Sequence, residues 1–122
     1  MLQKIIDIVR EAGKLVAAPA AFEVSQKSNF ADFVTDRDVA TQKFLIEKFK
    51  GLIPDAGFLG EEEGVAELER EYVFVIDPID GTANFVAGYR ESVISVALMQ
   101  NGEVRWGVVY NPYSDEIFYA EK

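Results

Sequence analysis

Histidine and cysteine are both absent from this 122-residue sequence. Without histidine there is no imidazole base, no serine–histidine triad and no histidine-ligated zinc. Without cysteine there is no disulfide framework, which suits the cytoplasm, and a cytoplasmic location is the expectation. Long apolar runs are missing too. No stretch reaches the length needed to span a membrane, and Met1-Leu2-Gln3-Lys4-Ile5-Ile6-Asp7 carries charge where a signal peptide needs an apolar core. Basic residues are scarce. Lys and Arg number 12 against 21 Asp and Glu, a net charge of −9 that repels a nucleic-acid backbone. Membrane and nucleic acid are therefore not expected partners. Whatever chemistry the chain performs must run on carboxylates, hydroxyls, lysines and hard metal ions, and some of the surplus carboxylates are candidate cation ligands.

Apolar residues make up 49% of the chain, enough for a core, and the length fits one domain or a piece of one. Leu2, Ile5, Val9, Ala12 and Val16 recur at helical spacing between charged residues and predict an amphipathic helix that ends or kinks near Pro19. Phe22 to Asn29 is mixed, with room for a short extended segment. Thr35 followed by Asp38 has the form of a capping box. It opens a second helix to about Gly51, with Ala40, Phe44, Phe49 and Leu52 as candidate core positions. Phe58-Leu59 is a short apolar piece leading into Glu61-Glu62-Glu63. Tyr72 to Ile76 is a continuous apolar run bounded by Asp-Pro and reads as a buried strand. Ser92 to Met99, Glu103 to Tyr110 and Glu116 to Ala120 read as three further strands. Asn101-Gly102 is a strong hairpin signal, and Pro112 to Asp115 forms a second turn. The expected fold is α+β: two N-terminal helices packed on one face of a mainly antiparallel sheet.

The segment Asp77-Pro78-Ile79-Asp80-Gly81-Thr82-Ala83-Asn84-Phe85 holds most of the functional information. Pro78 has no N–H to give the strand ladder, so the strand is expected to stop there, with Asp77 and Asp80 converging on a tight turn. Two such carboxylates repel each other unless a cation lies between them. Oxygen ligands select magnesium, calcium or manganese. Gly81 allows close backbone approach, and Gly81-Thr82 can open a short helix whose free amides suit a phosphate. Carboxylate-held metal beside a phosphate cradle is the equipment of metal-assisted phosphoryl hydrolysis. Each residue also has a plainer role. Asp-Pro and Asp-Gly are ordinary turn pairs, the Glu run is a solvated face, Lys27 is a surface lysine, and Asp38 is the capping-box acid, a catalytic part, or both.

The string Asp77 to Phe85 resembles the signature of the inositol monophosphatase family. Gly60-Glu61-Glu62 is similar to the family's metal-binding Gly-Glu-Glu. Asp32-Phe33-Val34-Thr35 with Asp38 is similar to the segment opening its second helix. The resemblance covers essentially the whole chain and about the first half of a family member, so residues 1–122 are expected to form a single N-terminal metal- and phosphate-binding domain without the C-terminal half of the fold.

The resemblance implies roles. Glu61 and Asp77, with the carbonyl of Ile79, would hold a metal that activates water. Asp77 would bridge to a second metal, also held by Asp80, for two or three Mg2+ ions in all. Thr82, helped by Asp38 and Glu62, would orient the attacking water. The amides of Gly81 and Thr82 would hold phosphate oxygens, and Lys27 matches a lysine near the site. A lithium-sensitive, magnesium-dependent hydrolase of inositol or sugar phosphates is implied. Fructose-1,6-bisphosphate or a nucleotide 3′-phosphate is the alternative substrate class, and a homodimer is an assembly common in the family that the sequence itself does not specify. The family's later Trp-Asp motif, which completes the second metal site, has no counterpart here. Phe74, Ala83 and Arg90 stand where the family often has Trp, Thr and Pro, and none of these removes a ligand. The competing reading is a non-catalytic metal-binding or assembly fragment that needs a partner half.

Overall fold

The computed structural model describes residues 1–17, 24–26, 33–60, 66–80 and 93–122, with side chains for 1–17, 37–60, 66–78 and 93–122. In chain order the elements are α1 (Leu2–Ala17), β1 (Val24–Gln26), β2 (Phe33–Thr35), α2 (Asp36–Leu52), β3 (Gly57–Gly60), β4 (Tyr72–Asp80), β5 (Val93–Gln100), β6 (Glu103–Asn111) and β7 (Glu116–Glu121). β1 and β2 form a small antiparallel pair, and β3 to β7 form one sheet in sequence order. The α+β architecture expected from the sequence is the one observed.

The first helix buries Ile5, Ile6, Val9, Ala12, Gly13 and Val16, the face its periodicity predicts. It stops at Ala17, and Pro19 lies outside the described residues. Arg37, in the first turn of α2, donates from Nη1 to the carbonyls of Leu15 at 3.3 Å and Val16 at 3.1 Å. Carbonyls at the end of a helix lack helical donors, so a cation placed there ties the two helices together.

The second helix starts at Asp36, one residue after the expected cap, but its inward face differs from the apolar one anticipated. Ala40 is exposed, Phe44 and Leu52 are half-buried, and Phe49 is buried. The fully buried positions are Asp38, Thr41, Gln42, Leu45 and Phe49. Their spacing follows one helical stripe, of which the first three residues are polar. A search for apolar periodicity passes over such a stripe, which is why Ala40 was misassigned.

Four of the strands form an antiparallel meander, β4-β5-β6-β7. Asn101 and Gly102 have φ of 50° and 82°, so both turn residues are left-handed, as the tight hairpin between β5 and β6 requires. Phe58, Phe74, Leu98 and Trp106 lie in one cross-strand row, and Ile76, Val96 and Val108 in the next. These rows form the core with the buried faces of the helices. The opposite face presents Val75, Ala97, Gly107 and Ala120 in one row, and Asp77, Ser95, Val109 and Phe118 in another. There Val109 is 37% and Phe118 64% exposed.

Two local features depart from the sequence reading. Phe58-Leu59 belongs to a strand, β3, which pairs with β4 in parallel. And β4 does not stop at Pro78 but continues to Asp80 through a register shift.

Candidate metal centre

Parallel pairing of β3 with β4 has a direct consequence for the site. The register Gly57↔Val73 through Gly60↔Ile76 carries both strands to the same end of the sheet. The residues next in sequence are Glu61 and Asp77. Neighbouring strands lie about 4.8 Å apart, so Gly60 and Ile76, the residues that precede these two acids in sequence, lie side by side.

The irregularity at Pro78 acts on the second pair of acids. Asp77 pairs with Ser95 and Asp80 with Val93, so three steps along β4 match two along β5. That is one extra residue, a bulge, where Pro78 has no N–H to contribute. Three steps along a regular strand reverse the face; the added residue restores it. Asp77 and Asp80 thus oppose Ser95 and Val93, which share a face of β5. The tight turn expected from the sequence is in fact a bulged strand. Pro78 itself is buried.

Asp77 is half-buried and lines a cleft of about 320 Å³ with Leu59, Gly60, Val75, Ile76, Ser95 and Ala97. On the helical side the end of β3 meets the polar stripe of α2. A Cβ placed on Gly60 would fall 2.6 Å from both Cδ and Oε1 of Gln42. Asp38 lies one turn earlier on the same stripe, 0% exposed. Thr41 Oγ1 is buried with no hydrogen-bond partner among the described residues. Asp38, Gln42 and Asp77 are each engaged in polar or electrostatic interactions.

Of the residues singled out in the sequence, Asp38 and Asp77 are described with their side chains, and Ile79 and Asp80 as backbone in β4. Lys27, Glu61, Glu62, Gly81 and Thr82 lie outside the described residues. Among the described residues no three metal-ligating side chains cluster. The donor chemistry available at the strand ends is oxygen alone, since the chain has neither histidine nor cysteine. That donor set fits a hard divalent cation and not zinc in a nitrogen or sulfur cage. Sequence reasoning missed Thr41, Gln42 and Ser95. The first two stand three and four residues after Asp38, the spacing of one helix face, and that was the available signal.

A larger groove, about 580 Å³, lies between α1 and the β6–β7 turn and shares no residue with this cleft. Asp7, Arg10, Glu11, Lys14 and Asp115 line it with both signs of charge, which gives an anionic substrate no net attraction. Tyr110 donates there to Asp115 Oδ1 at 2.9 Å. Burial, and then the hydrogen bond and negative charge of Asp115, raise the phenol above its ordinary value, with Arg10 opposing.

No described helix is long and apolar enough to cross a membrane. Comparison with known proteins agrees with the fold. The fructose-1,6-bisphosphatase/inositol-1-monophosphatase of Thermotoga maritima is 37% identical over 119 residues, covering 96% of this chain and 46% of that protein. The inositol-1-monophosphatase of Bacillus subtilis is 38% identical over 117 residues, covering 92% and 44%. The solved structure of a Thermotoga maritima IMPase superposes with a TM-score of 0.90 at 35% identity, covering 99% of this chain and 48% of that one. The chain thus spans about half the length of the relatives it matches. A model of the inositol monophosphatase family matches residues 1–122 from end to end, and the chain belongs to that family.

Proposed function

We propose that this chain carries the metal- and phosphate-binding part of a magnesium-dependent phosphate monoester hydrolase acting on an inositol or sugar phosphate. The observation that supports it most is the parallel β3–β4 register, which ends one residue before Glu61 and one before Asp77. In this reading Glu61 joins Asp77 and Asp80, whose backbone positions lie at the end of β4 on either side of the bulge. Such an arrangement is costly unless a cation offsets the repulsion.

In this reading Glu61, Asp77, Asp80 and the carbonyl of Ile79 hold Mg2+, two or three ions in all. When bound, magnesium supplies Lewis acidity: it neutralises phosphate charge and makes water easier to deprotonate. The chain's own residues do the rest. Thr82 and Asp38 orient the attacking water and take up its proton, assisted by Glu62. The amides of Gly81 and Thr82 hold phosphate oxygens, and Lys27 adds positive charge nearby. The absence of histidine is no obstacle, because the proton moves among oxygen atoms. Recognition of the alcohol belongs to residues beyond those carried here. A fructose bisphosphate or nucleotide 3′-phosphate remains the alternative substrate class, lithium inhibition is expected, and a cytoplasmic location belongs to the same reading.

The test is magnesium binding to the 122-residue chain by isothermal titration calorimetry, beside Asp77→Asn, with phosphate release from inositol 1-phosphate measured in magnesium and in EDTA. Binding by the wild-type chain that Asp77→Asn abolishes is expected, with little turnover from these residues alone. Equal binding by both proteins would sink the proposal. Magnesium-dependent release that Asp80→Asn removes would mean that these residues suffice for catalysis.

The exposed row that ends in Val109 and Phe118 favours a second reading, an assembly fragment that pairs through its sheet. Light scattering across a concentration series decides it. A dimer disrupted by Phe118→Glu supports assembly, and a monomer at all concentrations rejects it.

A further inference from the structure

Gly60 is a glycine for want of space. Among the described residues Gly102 is the glycine with positive φ, so the backbone at Gly60 is open to any residue. What a side chain would meet there is the end of Gln42: Cδ and Oε1 at 2.6 Å and Nε2 at 2.8 Å. All three terminal atoms of the amide therefore lie against the Gly60 Cα. Gln42 is 2% exposed, so this end has little room to swing away.

A buried Gln in a helix is a poor choice for packing alone, because its amide must be satisfied. Gln42 does have an interaction partner, and its amide end lies against the last residue of β3. The same helix face carries buried Asp38 one turn earlier. On the other side Gly60 pairs with Ile76, the residue before Asp77. Gln42 thus sits where the helix that holds one functional acid meets the strand ends that precede two others.

We propose that Gln42 is a positioning residue for the metal centre: its amide seats on Gly60 and fixes the end of β3 relative to Asp77 and Asp38. This rests on the reading of Glu61 and Asp77 as metal ligands. Gln42 makes no contact with the metal in this arrangement. It acts through the backbone that leads to a ligand, as outer-shell partners do when they orient ligands.

The test is a double-mutant cycle on the 122-residue chain with Gln42→Ala, Gly60→Ala and the pair. Magnesium affinity is measured by calorimetry at a temperature where circular dichroism shows every variant folded, and each melting temperature is recorded without metal. Gln42→Ala is expected to weaken magnesium binding about tenfold. Gly60→Ala, which displaces the amide instead of removing it, does the same in the wild-type background and adds little in Gln42→Ala, where nothing remains to displace. Unchanged magnesium affinity in folded Gln42→Ala, with only the melting temperature lowered, overturns the inference and leaves the metal site standing. Additive losses in the double variant overturn the seat on Gly60. A wild-type chain that binds no magnesium overturns the metal reading and this inference with it.

Discussion

The ring of Phe49 lies flat on that of Phe74, with centroids 4.1 Å apart and planes 9° from parallel. Phe58 continues the stack, its centroid 5.7 Å from that of Phe74. This column joins α2 and β4, which carry Asp38 and Asp77, to β3. All three rings are 0% exposed. Phe49→Ala should therefore cost about 3–5 kcal/mol, the usual range for emptying a buried aromatic site. Urea denaturation would show it as a lower midpoint with the slope kept, whereas a loss below about 1 kcal/mol would mean that the site collapses around the gap.

Gly13 and Tyr110 make a second close approach. A Cβ on Gly13 would lie 2.5 Å from Cε2 of the tyrosine and 3.0 Å from Cβ of Pro112. Helix propensity alone favours Gly13→Ala by about 1 kcal/mol. Overpacking against a buried ring costs about 1–3 kcal/mol, so steric crowding is expected to win and lower the melting temperature. A higher melting temperature would show that the β6–β7 turn yields.

Tyr110 also sets an alkaline limb on stability. Its phenol titrates higher in the folded chain because of burial and then Asp115, so the unfolded chain loses this proton first as pH rises. Between the unfolded value, about 10, and the raised folded value, the unfolded state binds fewer protons and stability falls. Below about pH 10 this contribution is fully present. Tyr110→Phe should lose about 1 kcal/mol at neutral pH, from the hydrogen bond to Asp115, and show a shallower decline above pH 10. Parallel curves for the two proteins from pH 8 to 11 would remove Tyr110 from the account.

Thr41 offers the opposite sign. Its buried hydroxyl has no partner among the described residues, a cost of about 1–3 kcal/mol. Thr41→Val keeps the shape and removes that cost, so a gain of about 1 kcal/mol in stability is expected from urea denaturation. A loss would reveal that the hydroxyl has a partner in solution.

Legibility in the sequence followed the strength of local signals. The face of α1, the strands of the meander and the Asn101-Gly102 turn were readable because periodicity and turn chemistry act over a few residues. The inward face of α2 was not, since Asp38, Thr41 and Gln42 are buried polar groups that a count of apolar residues assigns to solvent. β3 escaped because four residues, Gly-Phe-Leu-Gly, carry too short a pattern, and its parallel pairing depends on a partner more than ten residues away. The Asp77–Asp80 motif was visible, and the bulge within it was not: a proline in a strand reads as a stop, and only the register against β5 reveals the extra residue.

The place of α1 in the fold has a consequence for synthesis. This helix leaves the ribosome before the sheet it packs on, and its Gly13 packs against Tyr110, roughly a hundred residues later in the chain. At about 5–20 residues per second, that partner arrives some 5 to 20 s behind it. Until then Ile5, Ile6 and Val9 have no sheet to cover them. The meander can zip locally, hairpin by hairpin, because each strand from β4 to β7 pairs with its neighbour in sequence. A helix made before the sheet is thus buried only after it, and its apolar stripe is the surface that a chaperone would hold in the interval.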